Sequence, residues 1–173
     1  MGKNAGAVVA TTVSERGRSV AAELGADMII DYHQQRFEDL VSNQDFVLDA
    51  VGGGTLMRSF KVLRRGGRLC SIAAVPELRT AGDLGKPLPL QVAYGGLFAL
   101  MAAPLTLRGL ISGVDYRFLF MRPDGAQLAE IASWIDSGKL KPIVHKQYPL
   151  AEFREAFAEL ERGHARGKIV LTI

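Results

Sequence analysis

The apolar positions of the chain alternate between two patterns. Short runs rich in branched or aliphatic residues occur at Gly6–Thr12 (GAVVATT), Met28–Asp31, Asp45–Val51 (DFVLDAV) and Arg68–Ala74, and such runs predict strands buried on both faces. Helical spacing fills the intervals. Val20, Ala21 and Leu24 share one face of a helix expected to start at a Ser14 cap and stop at Gly25, and Phe37, Leu40 and Val41 mark a shorter one. Leu56, Phe60 and Leu63 fall at i, i+4 and i+7 of a helix that opens at Thr55 and stops at Gly66 and Gly67. Doubly apolar strands alternating with amphipathic helices require a parallel sheet covered on both sides by right-handed crossovers. The expected fold class is doubly wound α/β.

Residues 75–89 read as a loop, with Pro76, Gly82, Gly85, Pro87 and Pro89, and an apolar helix through Leu97, Leu100 and Met101 is expected to end at Pro104. Leu105–Ser112 (LTLRGLIS) reads as a further strand, and Gly113–Pro123 as a loop carrying Tyr116, Phe118, Phe120 and Met121. Pro123, Asp124 and Gln127 form a helix start, followed by the apolar face Leu128, Ile131, Ala132 and Ile135 up to Gly138. The chain closes with a strand (Ile143–Tyr148), a helix (Phe153, Ala156, Phe157, Leu160) and a strand (Lys168–Ile173).

Composition narrows the function classes. With 173 residues, 48% apolar and 23% charged, the chain suits one globular core. Its 21 basic and 18 acidic residues give a net charge of +3, too small and too dispersed for a nucleic-acid surface and better suited to a small anionic ligand. The single cysteine, Cys70, excludes an intrachain disulfide or a cysteine zinc cluster and reads as a buried, inert thiol. His33, His145 and His164 show no metal-ligand spacing, so no metal site is expected. No leader is read before the first strand, and Gly6 stands where a myristoylation pattern wants Ser or Thr. The longest apolar stretch, Leu97–Leu105, is far short of the roughly 20 residues that span a bilayer, so a cytoplasmic location without membrane contact is expected.

Ligands of open α/β sheets bind at the carboxyl ends of the strands. After the first strand come Thr11, Thr12, Val13, Ser14, Glu15, Arg16, Gly17 and Arg18. A ribose diol usually meets an Asp or Glu at such a strand end, whereas a 2′-phosphate wants hydroxyls and arginine. The same residues also suit an ordinary cap with solvated arginines, and Lys168 is either a further phosphate contact or a solvated lysine. Gly52, Gly53 and Gly54 permit close approach of a ligand or simply make a turn. Ala73 and Ala74 admit a flat ring or pack, and the aromatic loop around Tyr116, Phe118 and Phe120 covers a pocket or a partner. Neither a Gly-x-Ser-x-Gly nucleophile motif nor a Gly-x-Gly-x-x-Gly loop occurs.

Five segments then occur in an order of their own: Glu23–Tyr32 (ELGADMIIDY), Asp45–Gly54 (DFVLDAVGGG), Val62–Ile72 (VLRRGGRLCSI), Gly138–Leu150 (GKLKPIVHKQYPL) and Gly167–Leu171 (GKIVL). Taken together they resemble the medium-chain dehydrogenase/reductase superfamily, in its quinone oxidoreductase-like branch. The resemblance implies a Rossmann-like parallel sheet lacking its first strand and glycine loop, which would lie upstream with nearly all of the substrate domain and any zinc ligands. Residues 1–138 would form the truncated cofactor domain, and residues 139–173 a strand–helix–strand that packs with the substrate domain. It further implies NADPH as cofactor, with Ser14, Arg16, Gly17, Arg18 and Tyr32 around the adenosine phosphate. Gly53, Ala73, Ala74 and Val75 would approach the ribose and nicotinamide, Phe120 and Met121 would line the nicotinamide end, and Lys168 would reach a cofactor phosphate. Hydride would pass to a quinone or an enone, with no catalytic acid among these residues and an incomplete enzyme when the chain is alone. A homodimer through a Leu105–Ser112 edge strand is implied as well. Two other readings stand beside it: a methyltransferase-like domain, which would finish in an antiparallel hairpin, and a non-catalytic dimerising module.

Overall fold

A computed structural model describes residues 2–163, 165 and 167–173; the expectation for His164 lies outside the described residues. The chain divides into two compact units, Met1–His33 with Asp124–Ile173, and Gln34–Pro123.

In the first unit β1 (Ala10–Val13) pairs with β2 (Met28–Asp31), and β6 (Val144–Pro149) pairs with β7 (Lys168–Thr172). Both pairings are parallel, so each needs a helical crossover. The first crossover is α1 (Arg18–Glu23), preceded by a 3-10 turn at Glu15–Gly17 in place of the expected cap: Ser14 is extended and its side chain bonds no backbone N–H. The last is α8 (Phe153–Glu161). Helix α7 (Gly125–Asp136) starts as expected, with the Asp124 carboxylate accepting the Gln127 N–H at 3.0 Å. The parallel β6–β7 pair also removes the antiparallel hairpin on which the methyltransferase reading depends.

In the second unit β3 (Gln44–Asp49), β4 (Leu63–Ser71) and β5 (Asp115–Phe118) form one parallel sheet in the order β3-β4-β5. The short α2 (Phe37–Leu40) precedes it, and α3 (Gly53–Val62) crosses from β3 to β4. Between β4 and β5 lie α4 (Thr80–Asp83), α5 (Leu88–Met101) and α6 (Ala103–Ser112). The core joins Leu56 and Phe60 of α3, Leu69 of β4, Leu105 of α6, and Val114 and Tyr116 at β5. Each fully buried side chain of this kind stabilises by about 1.5–3 kcal/mol.

Three expectations are corrected here. Leu105–Ser112 is not an edge strand but helix α6, and the strand lies at 115–118, within the segment expected to be a loop. Pro104 does not simply end the preceding helix. It sits in the first turn of α6, where its missing N–H costs nothing, and the two helices meet at a 68° bend. Leu105 and Gly109 are the buried positions of α6, one helical turn apart, and a Cβ at Gly109 would stand 2.8 Å from the Val114 carbonyl. Glycine is what lets α6 lie this close to β5. Gly66 and Gly67 do not separate helix from strand but lie inside β4. Among the described residues no single helix is long and apolar enough to cross a membrane.

Candidate functional site

The first unit places a cleft of about 1350 Å³ along β1, reaching from Lys3, Val9 and Ala26 at the amino ends of β1 and β2 to the residues that follow their carboxyl ends. The register pairs Val13 with Asp31, so both strands end at one level and their next residues form the rim. Thr11, Val13, Ser14, Glu15, Arg16 and Gly17 line it from the β1 side, and Tyr32 and His33 from the β2 side. Asp31 is buried, and its carboxylate accepts the His33 N–H at 3.0 Å, which turns the chain so that the Tyr32 and His33 rings stand together on the rim. His145 and Ala165 complete another wall.

Some basic residues of this unit are paired with carboxylates and others are not. Lys3 is paired with Asp27 at 2.8 Å, Lys141 with Glu23 and Arg162 with Glu159. Arg16 and Arg18 are exposed and have no carboxylate partner among the described residues. Of the expected phosphate contacts, Ser14, Arg16, Gly17 and Tyr32 line the cleft, whereas Arg18 and Lys168 do not. Lys168 is exposed at the start of β7, its N–H bonded to the Ile143 carbonyl at 2.8 Å.

The second unit has its own strand-end site. Asp49, only 3% exposed, accepts the Gly52 N–H at 3.0 Å and the Ser71 hydroxyl at 2.6 Å. The Ser71 oxygen in turn accepts the Ala73 N–H at 3.2 Å. Gly52 has φ +76, and a Cβ there would lie 2.3 Å from the Ala73 carbonyl oxygen, so backbone packs directly on backbone. Beyond Ala73, the Val75 carbonyl accepts the Tyr116 hydroxyl at 3.0 Å. Among the described residues the N–H groups of Ala74 and Val75 carry no hydrogen bond. Gly53 opens α3 beside open space, and Phe120 and Met121 are exposed, with Phe120 near Phe118.

Asp49 and Ser71 are not among the residues the sequence points to, and Gly52 and Tyr116 are expected only as parts of a glycine run and an aromatic loop. A carboxylate at the end of an apolar strand, three residues before a glycine run, is the signal for Asp49 and Gly52, because a buried acid needs donors and a glycine turn presents them. Tyr116 lay in the segment read as a loop, which concealed its place in the core.

Zinc does not fit the residues present: among those described, no three His, Cys, Asp or Glu side chains come together to hold a metal ion.

The family model for zinc-binding dehydrogenase matches residues 24–171. The mitochondrial NAD(P)H oxidoreductase RTN4IP1 of Mus musculus is 35% identical over 97% of this chain and 42% of its own length. The chloroplastic NADPH-dependent alkenal/one oxidoreductase of Arabidopsis thaliana is 28% identical over 94% of the chain and 33% of its length. Among solved structures, the quinone oxidoreductase from Coxiella burnetii aligns with a TM-score of 0.74 at 24% identity, covering 99% of this chain and 46% of that one. The chain thus spans about two fifths of the length of the RTN4IP1 relatives. Those relatives, in mouse, cattle, zebrafish and human, are mitochondrial proteins at 32–35% identity, which overturns the expectation of a cytoplasmic location. The ordered segments, the parallel α/β units and the family match agree: the chain belongs to the zinc-binding dehydrogenase family.

Proposed function

We propose that this chain is the nicotinamide-cofactor part of an NADPH-linked reductase acting on a quinone or an enone. The observation that carries the NADPH assignment is the end of β1, which runs into the Ser14 hydroxyl and the exposed Arg16 beside the cleft, with the exposed Arg18 two residues further on, rather than ending in an acidic residue that a ribose diol would meet. The similarity to an NAD(P)H oxidoreductase and to an NADPH-dependent alkenal/one oxidoreductase supports the same chemistry.

In this reading Ser14, Arg16, Gly17, Arg18 and Tyr32 surround the adenosine phosphate, and Lys168 adds a phosphate contact. Gly53, Ala73, Ala74 and Val75 approach the ribose and nicotinamide, and Phe120 and Met121 line the nicotinamide end. The bound cofactor supplies hydride. This chain's residues contribute binding and orientation, with no acid or base of theirs assigned to the reaction. Residues 1–138 form the cofactor part, and residues 139–173 pack with the substrate domain of the whole protein. Pairing of two copies belongs to the same proposal, with β5 as the sheet-edge strand.

The test is a comparison of NADPH and NADH affinity by fluorescence in the whole protein. NADPH is expected to bind more tightly, and Arg16→Ala with Arg18→Ala to reduce that preference by roughly 10- to 100-fold, the worth of one or two charged hydrogen bonds. Equal affinity for the two cofactors in the unsubstituted protein would defeat the assignment.

A further inference from the structure

We propose that Tyr116 is a positioning residue for the nicotinamide end of the site, its hydroxyl fixing the Val75 carbonyl and thereby the backbone that faces the ring. The proposal rests on the assignment of Ala73, Ala74 and Val75 to the nicotinamide made above.

The tyrosine has two unlike ends. Its ring is 3% exposed and packs in the core of the second unit, 6.2 Å from the Phe60 ring between centroids. Its hydroxyl leaves that core only to donate to the Val75 carbonyl at 3.0 Å. The packing would be served by phenylalanine; the hydroxyl has this bond as its visible use. Burial, with the Glu77 and Asp49 carboxylates adding to it, pushes the phenol up to about 12, so the group is an O–H donor throughout the physiological range.

The segment that the hydroxyl holds is fastened elsewhere as well. At one end Gly52 backs the Ala73 carbonyl, and the Ala73 N–H is taken by Ser71. Further along, Arg79 donates to Asp115 at 2.9 Å and to the Tyr116 carbonyl, tying the loop to β5. Between the Ala73 and Tyr116 fixings the N–H groups of Ala74 and Val75 carry no hydrogen bond among the described residues and are free to donate to a carboxamide oxygen. Removing the hydroxyl frees Val75 to rotate while leaving its neighbours in place. The cost appears as lost preorganisation of the ligand surface rather than lost folding.

Tyr116→Phe in the whole protein separates these effects. Three ligands are titrated: NADPH, reduced nicotinamide mononucleotide, and 2′,5′-ADP, which carries the adenosine phosphates without the nicotinamide. NADPH and the mononucleotide are expected to bind roughly two- to tenfold more weakly, the worth of one neutral hydrogen bond, with 2′,5′-ADP unchanged. Unchanged NADPH affinity overturns the proposal, and so does a parallel loss for all three ligands, which reports a general structural defect. An unsubstituted protein that binds neither NADPH nor the mononucleotide sinks the cofactor reading and this proposal with it. Binding intact in the parent and unaltered in the variant sinks only the role of Tyr116.

Discussion

Three adjacent glycines look interchangeable in the sequence, and the backbone makes them different. Gly52 has φ +76 and lies where a Cβ would meet the Ala73 carbonyl at 2.3 Å, whereas Gly54 sits in helix α3 with open space around it. A side chain at Gly52 must both adopt a left-handed conformation and displace backbone, at a cost of about 1–3 kcal/mol or more. At Gly54 an added methyl meets nothing and favours the helix by roughly 0.5–1 kcal/mol. Urea unfolding of Gly52→Ala and Gly54→Ala should therefore move the midpoint in opposite directions. Two equal shifts would mean that the contact between Gly52 and Ala73 does not constrain the turn. The glycine whose backbone packs directly on Ala73 is thus Gly52, one position before the glycine that the family resemblance nominates.

Elements were legible where one periodicity dominated and illegible where two competed. Strands β2 and β3, helix α7 and the closing β6–α8–β7 follow the sequence expectation closely, because their apolar positions repeat without interruption and Asp124 caps as its spacing demands. The segment 104–118 does not. Its LTLRGLIS run alternates in the manner of a strand, while the burial of Leu105 and Gly109 obeys a helical repeat that only packing against Val114 reveals. The strand that follows places Asp115 and Arg117 between buried Val114 and Tyr116 and half-buried Phe118, a short alternation overshadowed by the aromatic run behind it. At the candidate site the same limit applies: Ser14, Arg16, Gly17 and Tyr32 do meet in one cleft, because a strand end and the following turn are local features. The tie between Tyr116 and Val75 spans 41 positions and has no local signature.

Strand β5 also makes a prediction about acid. Burial raises the Asp115 carboxyl, but the hydrogen bonds and charges of Arg79 and Arg68 outweigh it and hold the group below its ordinary value of 3.8. A lowered carboxyl contributes stability above its unfolded value and loses it as pH falls through the lower folded value. Asp115→Asn should therefore be less stable than the parent at pH 7, with the difference shrinking below about pH 4 as the parent's own carboxyl protonates. A gap of constant size down to pH 2 would show that the two arginines do not act through this charge.

At the scale of the molecule, two compact units each carry their own core and their own strand-end surface, and this makes ligand response divisible. The first has Ala21, Ile30, Tyr148 and Ala156 buried; the second is built around Leu56, Phe60, Leu69 and Tyr116. A ligand stabilises the structure that it contacts by an amount set by its concentration over its dissociation constant, about 2.7 kcal/mol at a hundredfold excess. The ligand 2′,5′-ADP carries the phosphates assigned to the rim of β1 and nothing of the nicotinamide, so its stabilisation should be confined to the first unit. Amide hydrogen exchange measured with and without it should slow across β1, α1 and β2 and remain unchanged across β3, β4 and β5. Reduced nicotinamide mononucleotide should give the complementary pattern, slowing exchange around residues 73–75 and leaving α1 as it was. Equal slowing of both units by either ligand would mean that the chain opens as one cooperative body, and the two surfaces could not then be read separately. Protection by 2′,5′-ADP that appears only in the second unit would instead place the phosphate site at the glycine turn after β3 and remove Arg16 and Arg18 from it.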